Sequence, residues 1–284
     1  MIRMEYPMNK HYRAIALDMD GTVLNTDKVI DPVTTKAIHE ALAKGKEVIF
    51  CTGRSYVEMT EVLKEFPEMH YLCGESGALV YDLKADRPLA CHTMEPKVFL
   101  SLMEISKERN LMPYFFSEGR DFAQSSHFAQ LDRYQMGEYS DLMGPVVTLS
   151  EDIYATAKER CGKIEKLLLL HTSPEQRAET LSIVKQNGIP AAFVYAERSS
   201  LECSAVGINK ASGLKTLCEK LNITMDQIIM VGDGDNDLAA LKASGLPIAM
   251  GNANENVKKT AHVVVADNDH AGCAEAIYKY LLCD

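Results

Sequence analysis

Ala14-Ile15-Ala16-Leu17-Asp18-Met19-Asp20-Gly21-Thr22 decides the fold. Its first four residues form a short unbroken apolar run, the pattern of a strand buried on both faces of a parallel sheet, and the run breaks directly into two carboxylates and a glycine. Parallel sheets open their ligand crevice at the carboxyl ends of their strands, so Asp18 and Asp20 stand where a ligand would bind. Period-two alternation sends both side chains to the same side. Like charges that close share either a proton or a hard cation, and an oxygen-only cluster suits the cation. An Asp-rich turn by itself is also what a solvated loop looks like, so the rest of the chain has to arbitrate.

Three further segments bear on it. Val48-Ile49-Phe50-Cys51-Thr52-Gly53-Arg54 reads as a second apolar strand ending in a hydroxyl and a glycine, with Ser55 placed to cap a helix running on to Lys64. Such a strand-to-helix turn offers free N–H groups to an anion. Gly207-Ile208-Asn209-Lys210-Ala211 puts a lysine at the start of an amphipathic stretch that ends near Leu221. Ile228-Ile229-Met230-Val231-Gly232-Asp233-Gly234-Asp235-Asn236-Asp237 is another strand breaking into glycines and carboxylates before a helix. Taken singly, Thr52 is a helix-entry residue, Lys210 a solvated helix-start charge and Asp235 an N-cap for the helix that follows; Arg54 suits an ion pair with a nearby acid as well as it suits substrate.

The four segments in this order resemble the haloacid dehalogenase-like hydrolase superfamily, and within it the Cof-type subfamily of sugar-phosphate phosphatases with a large cap. Its DxDGT motif matches Asp18 to Thr22, its strand-ending Ser/Thr matches Thr52, its lysine after the cap matches Lys210, and its GDxxND motif matches Gly232 to Asp237. Met250-Gly251-Asn252-Ala253 is similar to a turn of the same subfamily. One position departs: Ser76-Gly77-Ala78 stands where Cof-type proteins usually carry Asn-Gly-Ala.

The resemblance implies a magnesium-dependent phosphatase acting on a small phosphorylated metabolite, in particular a sugar phosphate. Asp18 would be the nucleophile that forms an aspartyl phosphate, and Asp20 the general acid and base. Asp18, Asp233 and the Asp20 carbonyl would hold Mg²⁺, with Asp237 supporting the metal's waters. Magnesium suits this all-oxygen donor set, which has no nearby cysteine or histidine, better than zinc. Thr52, the Gly53 N–H and Lys210 would hold the phosphate, joined by Met19 and by the amide of Asn236. Two other readings are a sugar phosphomutase and a non-enzymatic phosphoacceptor or sugar-phosphate-binding regulator, distinguished by whether phosphate is released and whether turnover is multiple.

Strand–helix alternation before residue 84 and again from 204 predicts an α/β, Rossmann-like parallel-sheet core over 1–84 and 204–284. The intervening 85–203 reads as an inserted α+β cap: a helix near 96–109, strands Met112–Phe116 and Lys163–His171, and a helix opened by Ser173-Pro174-Glu175-Gln176. Tyr114, Phe115, Arg120 and His127 are candidate cap contacts among which the sequence does not choose. The 284 residues, 46% hydrophobic, suffice for a full core. A formal net charge of −10 argues against nucleic acid or an acidic membrane as partner. The 8 cysteines lack CxxC spacing, and no signal peptide or membrane-length apolar run is visible, which together predict reduced thiols and a cytoplasmic protein of unknown oligomeric state.

Overall fold

The computed structural model describes residues 12–196 and 198–283. The first half of the larger sheet comprises β1 (Ala14–Leu17), α1 (Pro32–Ala43), β2 (Glu47–Cys51), α2 (Tyr56–Leu63), β3 (Tyr71–Gly74), β4 (Leu79–Asp82) and β5 (Arg87–Cys91). The helices start where the side chains allow it. Asp31 accepts the Val33 N–H ahead of Pro32, and Ser55 and Glu58 exchange bonds with each other's backbone in a capping box.

The second sheet is built from α3 (Pro96–Glu108), β6 (Met112–Ser117), β7 (Arg120–Gln124), α4 (Ser125–Phe128), α5 (Ser140–Met143), β8 (Val147–Ser150), α6 (Ile153–Glu159), β9 (Ile164–Leu170), α7 (Pro174–Gln186), β10 (Ala192–Ala196) and β11 (Ser200–Ser204). The chain then returns to the first sheet through α8 (Lys210–Leu221), β12 (Ile228–Gly232), α9 (Leu238–Ala243), β13 (Leu246–Ala249), α10 (Glu255–Thr260), β14 (Val263–Val264) and α11 (Gly272–Ala276).

The larger sheet has the order β14-β13-β12-β1-β2-β3-β4-β5, parallel as far as β3 and antiparallel over its last two strands. This is an α/β fold, and β1 is its pivot: the next strand of the chain lies on one side, the returning C-terminal strands on the other. The strand order reverses at this point, which is where open α/β sheets bind ligands. All four residues of β1 are buried, which explains its unbroken apolar run. The strand Arg87–Cys91 pairs with β4, so the larger sheet extends past residue 84, where the sequence suggested that the inserted domain begins. A run reading Arg-Pro-Leu-Ala-Cys carries no alternation that would assign it to either sheet.

The six-stranded sheet, ordered β10-β11-β9-β6-β7-β8, is antiparallel except for the β7–β8 pair. Its alternation sorts side chains cleanly. Phe115, Leu167, Leu169 and Leu201 pack with Phe99 and Leu102 of α3 on one face, while Tyr114, Phe116, Leu168 and Leu170 pack with Leu131, Tyr134 and Met143 on the other. The second face is turned toward the carboxyl ends of β1 and β12, where Tyr114, Phe116 and Leu168 border the same cavity as Asp18. Among the described residues no helix is long and apolar enough to cross a membrane.

Candidate active site

Pairing between β1 and β12 continues one residue beyond the strand, with the Asp18 N–H donating to the Val231 carbonyl at 3.1 Å. That bond brings the 18–22 and 232–237 turns side by side although some 210 residues separate them. Asp18, Asp233 and Asp237 each offer a carboxylate oxygen within a 4.8 Å group. Lys210, the first residue of α8, is 0% exposed and donates to Asp18 Oδ1 at 2.6 Å and to Asp237 Oδ1 at 2.7 Å. Burial alone would depress the ammonium, but Asp18 and Asp237 outweigh it and hold it well above the usual lysine range.

Three carboxylates facing one ammonium leave negative charge uncompensated. Burial, reinforced by Asp237, pushes the Asp18 carboxyl well up against the pull of Lys210. Burial and then Asp237 push Asp233 up to about 6. A hard dication among these oxygens would relieve both, so the donor set fits Mg²⁺. Asp237 has little to give such an ion directly. Its Oδ1 takes Lys210, and its Oδ2 accepts the N–H groups of Asp233 at 3.0 Å and Gly234 at 3.1 Å. Its place is to fold the turn and hold the lysine. Asp233 is oriented by Thr22 Oγ1 at 2.9 Å.

Asp20 faces the cavity in a bidentate pair with Arg54, Nε to Oδ2 and Nη2 to Oδ1 both at 2.8 Å, with Lys28 at 3.3 Å. Burial would raise this carboxyl, yet the Arg54 bonds and charge, with Lys28, bring it below the ordinary value. Thr52 is buried at the end of β2, where its Oγ1 accepts the Arg54 N–H at 3.1 Å. Met19 buries its side chain in the core and gives its carbonyl to Thr22 and Leu24, so its N–H is the group it can offer a phosphate. Asn236 lies half-buried on the cavity rim beside Asp235. Asp235 is not the helix cap that its position suggests. Its Oδ1 accepts the amides of Asn254 and Asn256, while Asn252 Nδ2 donates to the Gly21 carbonyl at 2.8 Å, so the 250–256 segment braces both the 18–22 and the 232–237 turns.

The six-stranded sheet supplies two charged groups that the sequence did not single out. Lys166 and Glu202, from neighbouring strands β9 and β11, form a buried ion pair at 2.5 Å. Lys166 also donates to the Gly53 carbonyl at 2.9 Å and to Ser76 Oγ at 3.1 Å, and Ser76 Oγ donates to Glu202 Oε2 at 2.8 Å. Ser76, in the usual asparagine's place, therefore helps tie the six-stranded sheet to the turn after β2. It sits in the left-handed region with φ 56, and at Gly77 beside it a Cβ would fall 2.2 Å from the Asn209 carbonyl oxygen. A signal for Lys166 existed: a lysine inside an otherwise apolar strand is seldom buried without a partner. Of the cap contacts the sequence left open, Tyr114 borders the cavity, while Phe115 packs on the opposite face of the sheet.

The haloacid dehalogenase-like hydrolase family profile matches residues 15–277. Among curated relatives, the chain is 29% identical over 273 residues to the 5-amino-6-(5-phospho-D-ribitylamino)uracil phosphatase YcsE of Bacillus subtilis, covering 95% of this chain and 96% of that protein. It is 25% identical to the pyridoxal phosphate phosphatase YbhA of Escherichia coli, over 95% of this chain and 99% of the relative. A crystal structure of a haloacid dehalogenase-like hydrolase from Bacteroides thetaiotaomicron superposes with a TM-score of 0.81 at 24% identity, over 94% of this chain and 99% of that one. With its acid-bearing turns at the switch point of the sheet and the family profile running through residues 15–277, this chain belongs to the haloacid dehalogenase-like hydrolases.

Proposed function

We propose that the protein is a magnesium-dependent phosphatase that hydrolyses a small phosphorylated metabolite through a phosphoaspartate on Asp18. Sugar phosphates are the class implied by the Cof-type resemblance. The observation that carries the proposal is the clustering of the Asp18, Asp233 and Asp237 carboxylates, two of which, Asp18 and Asp237, pair with the buried Lys210 ammonium. Asp18, Asp233 and the Asp20 carbonyl would hold the ion, which when bound offsets the repulsion between carboxylate and phosphate dianion.

The chain's own residues do the rest. Asp18 attacks phosphorus while Lys210, Thr52, Asn236 and the N–H groups of Met19 and Gly53 hold the phosphoryl oxygens. Fixed donors of this kind contribute about 3 kcal/mol each in comparable oxyanion sites. The P–O bond to the alcohol breaks and the departing oxygen takes a proton from Asp20. Water then attacks the phosphoaspartate and returns a proton to Asp20, freeing Asp18 and inorganic phosphate. Asp20 clamped by Arg54 is ionised, the form suited to the second step; its acid role requires Arg54 and Lys28 to turn toward the incoming phosphate dianion, which competes for them.

The test is phosphate release from a generic aryl phosphate in the presence of Mg²⁺. Activity should vanish with EDTA and in Asp18→Asn. Turnover that survives both treatments would remove the proposal, and phosphate retained on the substrate carbon skeleton would favour a mutase.

A further inference from the structure

We infer that Lys166 is a positioning residue of this site: from the six-stranded sheet it fixes the peptide plane that aims the Thr52 hydroxyl at the phosphoryl group. The inference rests on the phosphatase reading above, in which Thr52 and the Gly53 N–H hold phosphate.

Two consecutive peptide planes make the turn after β2, and each is held by a bond to its carbonyl. The Ser76 N–H donates to the Thr52 carbonyl at 2.9 Å. A trans peptide keeps its C=O and N–H in one plane and on opposite sides, so that bond turns the Gly53 N–H the other way. The next plane is held from the other sheet, where Lys166 Nζ donates to the Gly53 carbonyl at 2.9 Å. On the far side of this plane the Arg54 N–H meets Thr52 Oγ1 at 3.1 Å. A hydroxyl oxygen that accepts an N–H keeps its own proton for another acceptor. Thr52 borders the same cavity as Asp18, so that proton serves a phosphoryl oxygen.

The ammonium is committed to this turn. Lys166 is 1% exposed, and its three protons have three acceptors: the Gly53 carbonyl, Ser76 Oγ and Glu202 Oε1. Replacing a buried ion pair by apolar residues of similar volume is often neutral or stabilising, so stability alone gives no reason for a lysine inside β9. Gly53 records how closely the pair approaches. A Cβ there would stand 3.1 Å from Glu202 Oε1, 3.2 Å from Lys166 Nζ and 3.5 Å from Ser76 Oγ. Its backbone lies outside the left-handed region, so the groups seated against it are what favour glycine at this position.

The experiment measures release of phosphate from 4-nitrophenyl phosphate and competitive inhibition by orthophosphate, with urea unfolding to confirm the fold of each variant. Lys166→Met is made in a Glu202→Gln background, which spares it a stranded carboxylate. Relative to that background it should lower kcat/KM about tenfold or more and raise the orthophosphate Ki by a similar factor, because a group misplaced by about 1 Å costs up to about 10²-fold. A lysine that instead touched the departing alcohol would leave the orthophosphate Ki unchanged. Thr52→Val removes the aimed hydroxyl, so in its presence Lys166→Met should cost no more than about threefold. Gly53→Ala keeps every charge and presses on the ammonium, so it reports even where the lysine variant fails to fold. It should raise the Ki about threefold or more, again with little effect once residue 52 is changed. An unchanged orthophosphate Ki in the folded variants, or losses that multiply with that of Thr52→Val, would overturn the inference and leave the phosphatase reading standing. No phosphate release from the parent protein would bring down both.

Discussion

Replacing Lys210 by methionine removes one charge from the most crowded electrostatic position in the molecule while keeping a stem of similar length. The ammonium lies 2.6 Å from Asp18 and 2.7 Å from Asp237 and has no exposed surface. At an effective dielectric of about 20, each contact has a gross attraction of about 6 kcal/mol. Dehydration of the ions cancels most of it, but breaking such a buried pair by deleting one partner still costs about 3–5 kcal/mol, because the carboxylates are stranded. They can escape by taking up protons. Asp18 and Asp233 are already raised, and without the lysine both rise further. A carboxyl raised in the folded state stabilises below its unfolded pKa, and that contribution is lost as pH rises through the folded value.

Lys210→Met should therefore lower stability by about 3 kcal/mol at pH 8 in EDTA, with the deficit shrinking toward pH 5. Urea unfolding of both proteins at a series of pH values measures this. Phosphate release should fall about 10²–10³-fold, the effect of losing one fixed donor to the transferred group. An unchanged unfolding midpoint at pH 8, or a deficit that does not depend on pH, would refute the reasoning that Lys210 holds the carboxylate cluster together.

Two other outcomes follow from the same geometry. Gly21 has φ +74 and a Cβ there would fall 2.5 Å from Asp233 Oδ2, so Gly21→Ala should displace that carboxylate and weaken Mg²⁺ binding about tenfold or more; isothermal titration with Mg²⁺ would show it, and unchanged affinity would mean Asp233 is no ligand. Glu58 is raised from 4.5 to about 8 by burial and by Asp121, so its contribution to stability is present below about 4.5 and is lost as pH rises through about 8. Glu58→Gln, which keeps an oxygen for the Ser55 N–H, should flatten the decline of unfolding free energy over that range, and a decline equal to the parent's would contradict it.

Local chemistry made much of this legible in advance. The burial of Ala14–Leu17, the Asp31 and Ser55 caps and the helix from Lys210 depend on side-chain period and on hydrogen bonds a few residues long, which a sequence displays directly. Asp235 was misread because an acid before a helix normally caps it; here its oxygen serves Asn254 and Asn256, partners some twenty residues away. Arg54 was ambiguous for the same reason, since its partner Asp20 sits in the turn after β1, 34 residues away.

What the sequence by itself determined was the sheet, the positions of its polar breaks and the residue types at them, because apolar period and turn chemistry act within a few residues. Tertiary structure alone decided how those groups combine. Strand order set the Asp233 turn against Asp18, α8 delivered Lys210 between two carboxylates, and the fold of the cap spent Lys166 and Glu202 on Gly53 and Ser76. Such pairings arise between segments that are remote along the chain, and whether a buried charge faces a partner, a ligand or an apolar wall is fixed only once the sheets have packed.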